Sequence, residues 1–165
     1  MSFKFVPASQ HQPEAISSVH IDCIRWHHRK IPLSRGGHMI GRYSPGPGRT
    51  LIPFESQAER KAIAHFDALP GVHLILSQPF SIDFRLNGAR RRYTPDLLII
   101  ADPVPPELAR CGFGSLTVLE VKAIIDPYSR AVLDFKLQLV SRATGLPAMA
   151  AVSTASPVQE VRHAS

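Results

Sequence analysis

Two cysteines in 165 residues, Cys23 and Cys111, leave no room for a disulfide framework. Neither stands in a Cys-x-x-Cys pair or at Cys/His ligand spacing, which excludes a structural zinc site of the usual kind and suggests a reducing compartment. Both read as isolated small hydrophobes. No apolar run approaches the roughly 18 residues that a membrane span needs, and Met1-Ser2-Phe3-Lys4 lacks the long apolar stretch of a secretory signal, so a cytoplasmic protein without membrane contact is expected. Acidic residues are missing altogether from Arg25 to Arg49, a stretch that carries Arg25, Arg29, Lys30, Arg35, Arg42 and Arg49. His27, His28 and His38 lie there too, but with no acidic or cysteine partner at ligand spacing they do not read as a metal site.

That imbalance belongs to a basic chain of formal charge +6 and pI near 9.8, which favours a polyanionic partner. Arg90-Arg91-Arg92 adds a second cluster, and Arg35, Arg42, Arg90, Arg91 and Arg92 are the candidate contacts to double-stranded DNA. Trp26 and Tyr43, interleaved with the first cluster, suit packing better than stacking on bases.

The length suits one domain. Residues 1–24 show no clear period and are expected to form an irregular or poorly ordered arm, residues 25–153 a single domain with a basic N-terminal region, and residues 154–165 a polar tail. Turn formers in Ser44-Pro45-Gly46-Pro47-Gly48 separate two short apolar stretches, a hairpin or loop before the first helix. That helix should run from about 55 to 69, with Ser56 as N-cap, an Ala62, Ile63 and Phe66 stripe, and Pro70-Gly71 as its stop. A short apolar run from Val72 leads to Gln78-Pro79. Phe80, Ile82, Phe84 and Leu86 then alternate with polar residues before an Asn87-Gly88 turn, and the returning strand is read as Ala89 to Ile100. A surface loop should follow to Ser115, then a strand from Leu116 to about Ile124, a helix capped at Asp126-Pro127 with Val132, Phe135 and Leu139 on one face, and a last strand from Ala148 to Ser153. The order α-β-β-β-α-β makes an α/β fold with a mixed sheet flanked by helices.

Charge inside apolar strands is the main anomaly. Alternation puts Glu120 and Lys122 on the face of Leu116 and Val118, with Leu119, Val121 and Ala123 on the other. An ionised group there costs several kcal/mol unless it is paired, hydrogen-bonded or bound to a metal. Asp96, after Pro95, opens the neighbouring apolar run, so two carboxylates and an ammonium could meet around a hard divalent cation. Glu59 allows two readings: partner of Ser56 in a capping box, or an acid on the helix stripe that faces the sheet. Gln78 likewise suits either orientation of a metal ligand or a bond to nearby backbone.

Glu59, Pro95-Asp96 and Glu120-Val121-Lys122 resemble the PD-(D/E)xK nuclease signature. More narrowly, Phe54-Glu55-Ser56-Gln57-Ala58-Glu59-Arg60, Gln78-Pro79-Phe80, Tyr93-Thr94-Pro95-Asp96 and Glu120-Val121-Lys122 resemble the N-terminal catalytic domain of TnsA, the endonuclease subunit of heteromeric transposases. The resemblance spans roughly residues 29–153 and implies a restriction-endonuclease-like fold. It also implies metal binding by Asp96 and Glu120, completion of the acidic cluster by Glu59, and assistance to the attacking water from Lys122. The backbone carbonyl of Val121 would be a further ligand of Mg²⁺, for which Mn²⁺ should substitute, with one ion or two left open. The family's best-known member has glutamine at the position of Glu120, and nothing after Ser153 matches its additional helical domain. The expected activity is therefore DNA cleavage, one strand at each transposon end, beside a transposase subunit and an ATPase regulator that the resemblance alone supplies. A free-standing resolvase or restriction-like nuclease, and a non-catalytic DNA-binding assembly subunit, are the alternatives.

Overall fold

A computed structural model describes residues 2–9, 14–26, 40–47 and 49–154. In chain order the elements are β1 (Ser2–Pro7), α1 (Glu14–Ser17), β2 (Val19–Trp26), β3 (Gly41–Tyr43), β4 (Ile52–Phe54), α2 (Gln57–Asp67), β5 (Val72–Ser77), β6 (Phe80–Leu86), β7 (Ala89–Tyr93), β8 (Leu97–Ala101), α3 (Pro106–Arg110), β9 (Leu116–Lys122), α4 (Pro127–Thr144) and β10 (Ala148–Thr154). They form a mixed five-stranded sheet ordered β1-β10-β9-β8-β5, a second sheet ordered β2-β6-β7, and the hairpin β3-β4. Only the β9–β10 pair of the main sheet is parallel, because α4 crosses over between those strands, whereas its other pairs are antiparallel.

Alternation along the central strands decides which helix covers which face. Leu97, Ile99, Leu119 and Val121 share a buried cluster with Ala62, Ile63 and Phe66 of α2. Leu98, Val118, Ala148 and Ala150 share another with Leu133, Leu137 and Val140 of α4 and with Phe80, Ile82 and Phe84 of β6. A helix side chain such as Phe66, with none of its surface exposed, contributes roughly 1.5–3 kcal/mol through burial. The molecule is thus a mixed sheet between helices, with the smaller β2-β6-β7 sheet packed over the α4 side.

Several boundaries differ from the sequence expectation. Residues 2–7 and 19–24 are not an irregular arm: β1 closes the edge of the main sheet against β10, and β2 pairs with β6. Their order comes from partners far along the chain, which a local period does not register. The returning strand is two strands. Pro95 has no N–H to give a ladder, the chain breaks at Thr94–Asp96, and β7 stays in the small sheet while β8 enters the main one. The loop before β9 holds α3, and its Leu108 and Phe113 are buried in the core. On α4 the buried stripe is Leu133, Leu137 and Val140, joined by Leu139, while Val132 is exposed. Both cysteines are exposed, so neither acts as a core hydrophobe. Among the described residues no helix is long and apolar enough to cross a membrane.

Candidate active site

The antiparallel register of β8 and β9 matches Leu98 with Val118 and Leu97 with Leu119. The paired positions end there, and the same register continued by one residue sets Asp96, just before β8, against Glu120, whose charge acts on it. The Val121 N–H donates to Asp96 Oδ2 at 2.7 Å, and the main-chain oxygen of Asp96 accepts from the Gln78 N–H at 2.8 Å. Asp96 therefore sits where the chain leaves one sheet and enters another, fixed by backbone from β9 and from the end of β5. Burial first, then the Glu120 charge, pushes its carboxyl up to about 7, against the opposing pull of Lys122.

Glu120 is only 2% exposed and fully engaged. Its Oε1 accepts from Lys122 Nζ at 2.9 Å and from Lys136 Nζ of α4 at 2.6 Å, and its Oε2 accepts from the Tyr93 hydroxyl. Burial raises its pKa, but the two ammoniums outweigh that and hold it below the ordinary carboxylate range. Lys122 is held above the ordinary lysine value: burial opposes its charge, while Glu120, Asp96 and Glu59 favour it more strongly. A lysine held so firmly protonated can donate hydrogen bonds and positive charge; it is a poor proton acceptor.

Glu59 realises the capping box. Its N–H donates to Ser56 Oγ at 3.1 Å, its Oε2 accepts from the Glu55 N–H at 2.8 Å, and its Oε1 accepts from the Ser56 hydroxyl at 3.0 Å. It also lies on the buried face of α2 with Ala62, Ile63 and Phe66, and its charge acts on both Asp96 and Lys122. Burial pushes its pKa up. The two readings of this residue coexist: its oxygens cap α2, while its charge faces the strand ends where Asp96 and Lys122 meet.

Among the described residues no group of three or more His, Cys, Asp and Glu side chains is arranged to hold a metal ion. The donors that do converge, Asp96 and Glu120, are oxygen ligands, and among the described residues no cationic side chain is bonded to Asp96. That set fits a cation such as Mg²⁺, which keeps several waters and takes one or two carboxylates rather than a complete protein cage.

The basic candidates lie elsewhere. Arg42 is exposed on β3, and Arg90, Arg91 and Arg92 are exposed on β7. A groove of about 630 Å³ on the small sheet is lined by Arg25, Arg85 and these three β7 arginines together with Asp22 and Asp83. Arg92 Nη2 and Arg25 Nε reach Asp83 at 3.2 Å and 2.8 Å, and the Arg92 bond, ahead of other causes, holds that acid down at about 2. Arg35 and the histidines His27, His28 and His38 lie outside the described residues. Trp26 is 59% exposed with its ring 4.8 Å from that of Phe80, and Tyr43 donates to Asp67 at 3.0 Å. Gln78 is buried and meets the site through its main chain, in a backbone conformation with φ of 49°.

Two residues of the cluster receive no role from the motif. Tyr93 stands three positions before Asp96, and Lys136 interrupts the buried stripe of α4, three residues after Leu133 and four before Val140. A lysine at core spacing is the signal that could have pointed to it. No family model matches this chain, and neither the curated proteins nor the solved structures contain a significant match.

Proposed function

We propose that this chain is a metal-dependent DNA endonuclease with a restriction-endonuclease-like fold, of the TnsA type, that hydrolyses phosphodiester bonds. The observation that carries the reading is the placement of Asp96 opposite Glu120 with Lys122 on the same carboxylate, all at the mouth of two adjacent strands. Incidental surface charges would not gather in such a cluster, and a purely structural arrangement would bond a cation to Asp96 directly, whereas among the described residues Lys122 acts on it without being bonded to it.

Asp96, Glu120 and the Val121 carbonyl are the groups that would hold Mg²⁺ or Mn²⁺. When bound, such an ion polarises the phosphate and lowers the pKa of water. The protein's own part is positional. Asp96 is pinned by the Val121 N–H and by Gln78, so its free oxygen has a defined direction. Lys122, protonated, donates to the attacking water or to a phosphate oxygen and offsets negative charge that builds as the new P–O bond forms and the old one breaks. The proton lost by water passes to solvent rather than to Lys122. Glu59 contributes negative charge beside Lys122 and Asp96 while holding the first turn of α2. Arg42 and Arg90 to Arg92 would contact the DNA backbone, and a partner transposase and ATPase regulator enter through the family resemblance.

A non-catalytic DNA-binding subunit is the second reading, favoured by the complete engagement of Glu120. Purified protein incubated with supercoiled plasmid and Mg²⁺ or Mn²⁺ separates the two. Metal-dependent nicking by the wild type, abolished in Asp96→Ala and Lys122→Ala with DNA binding nearly intact, is expected; cutting retained by either variant would sink the nuclease assignment. Nicking of plain duplex without any partner would favour a free-standing nuclease over a transposition subunit.

A further inference from the structure

Glu120 carries one negative charge and receives two ammoniums on a single oxygen. Lys122 is shared, because Asp96 and Glu59 act on it as well. Lys136 brings the second ammonium from a different element, α4, which covers the sheet face that Glu120 shares with Val118. Its Nζ lies over the Tyr93 ring, 5.1 Å from the centroid, and that phenol is itself bonded to Glu120. An ammonium has three N–H donors. Glu120 takes one, and the Lys136 side chain keeps 31% of its surface exposed, so the group is anchored and still reachable from outside. Lysines on the sheet-facing stripe of a helix are rare without a reason, since their charge must be desolvated.

We propose that Lys136 is a phosphate-binding residue of the site: its ammonium, held by Glu120 and the Tyr93 ring, takes an oxygen of the DNA phosphate next to the scissile bond. This rests on the nuclease reading and divides the labour between two lysines. Lys122, on the strand, serves the attacking water; Lys136, on α4, seats the backbone. A cation held by Asp96 and Glu120 would compete for the charge that Glu120 now shares with both ammoniums, and would leave Lys136 N–H donors for the phosphate and Lys122 for the water.

Lys136→Met, which keeps the apolar stem, and Lys136→Gln, which keeps a hydrogen bond to Glu120 without charge, are compared with the wild type in two assays. In metal-dependent plasmid nicking, kcat/KM should fall roughly 10- to 100-fold, the usual value of one charged hydrogen bond. In metal-free binding to a short duplex, the slope of log K against log salt should become shallower by about 0.9, as for one lost phosphate contact. Lys136→Arg should restore the slope. A merely structural lysine would move the thermal midpoint and leave the slope unchanged. Should Lys136→Met fail to fold, Lys136→Gln is read by the same criteria. Unaltered nicking, or impaired nicking with an unaltered slope, overturns the phosphate contact while leaving the nuclease reading in place. A wild type that never nicks with Mg²⁺ or Mn²⁺ overturns both.

Discussion

Replacing Asp96 by asparagine should make the metal-free protein more stable at pH 8. Asparagine keeps an oxygen for the Val121 N–H and removes a charge to which, among the described residues, no cationic side chain is bonded. The carboxyl titrates near 7 in the fold, against 3.8 for the ordinary group. A folded-state value raised above the unfolded one means that the fold favours the neutral acid. Stability is then fully present below the unfolded pKa, falls as pH rises from about 4, and has reached its floor once pH passes the folded value near 7. At about 1.4 kcal/mol per unit, the loss at pH 8 is up to about 4 kcal/mol, and at pH 5 about 2 kcal/mol. Urea unfolding in EDTA at both pH values measures the difference between wild type and Asp96→Asn. The variant should gain at pH 8 and show no more than about half that gain at pH 5. Millimolar Mg²⁺ should stabilise the wild type at pH 8, by about 2.7 kcal/mol at a hundredfold excess over Kd, and leave the variant unmoved. An Asp96→Asn protein less stable than the wild type at pH 8 would refute the reasoning, because it would mean that the pull of Lys122 and the stronger bond of a charged oxygen to Val121 more than compensate the buried charge.

Glu59→Ala removes the two hydrogen bonds that its carboxylate accepts, from the Glu55 N–H and the Ser56 hydroxyl, while the main-chain bond to Ser56 Oγ stays, and should cost about 1 kcal/mol in thermal or urea unfolding; Glu59→Gln retains the oxygen that accepts from Glu55 and should cost much less. If Glu59 also serves the reaction, Glu59→Gln will lose nicking activity while keeping its melting temperature. Serine at both Arg90 and Arg91 should make the salt slope of DNA binding shallower by about 1.8, measured by fluorescence anisotropy across a salt series. Gly71→Ala should destabilise by at least about 1–2 kcal/mol, since its φ is +88° and a Cβ there would lie 2.3 Å from the Pro103 carbonyl oxygen, a cost that thermal unfolding will register.

The face alternation of β9 was legible because period-2 patterning is a property of the backbone itself. Glu120 and Lys122 share the face of Val118, and Leu119 and Val121 lie on the other, as the residues alone imply. The α2 cap was legible for a similar reason, a local signal with a local cause. What escaped notice depends on distance along the chain. Lys136 becomes part of the cluster only because α4 crosses back over β9, and of the expected stripe Leu139 is buried and Phe135 packs against the core while Val132 is exposed. The division between β7 and β8 was signalled by Pro95, yet no propensity reveals that the two halves belong to different sheets. The basic stretch ahead of Arg42 lies largely outside the described residues, so its candidate contacts stand as sequence inferences.

β1 pairs residue for residue with β10 from Ser2–Thr154 to Pro7–Met149, and Phe5 packs edge-on against Phe113 with ring centroids 5.0 Å apart. Those few residues shield a row of main-chain donors and acceptors on a largely apolar strand. Trimming them away would turn β10 into an open template on which neighbouring molecules could stack. Shortened versions of the protein should therefore cluster at high concentration long before their chemistry is lost, and a fusion joined at Met1 would stand beside that border rather than at a loose end.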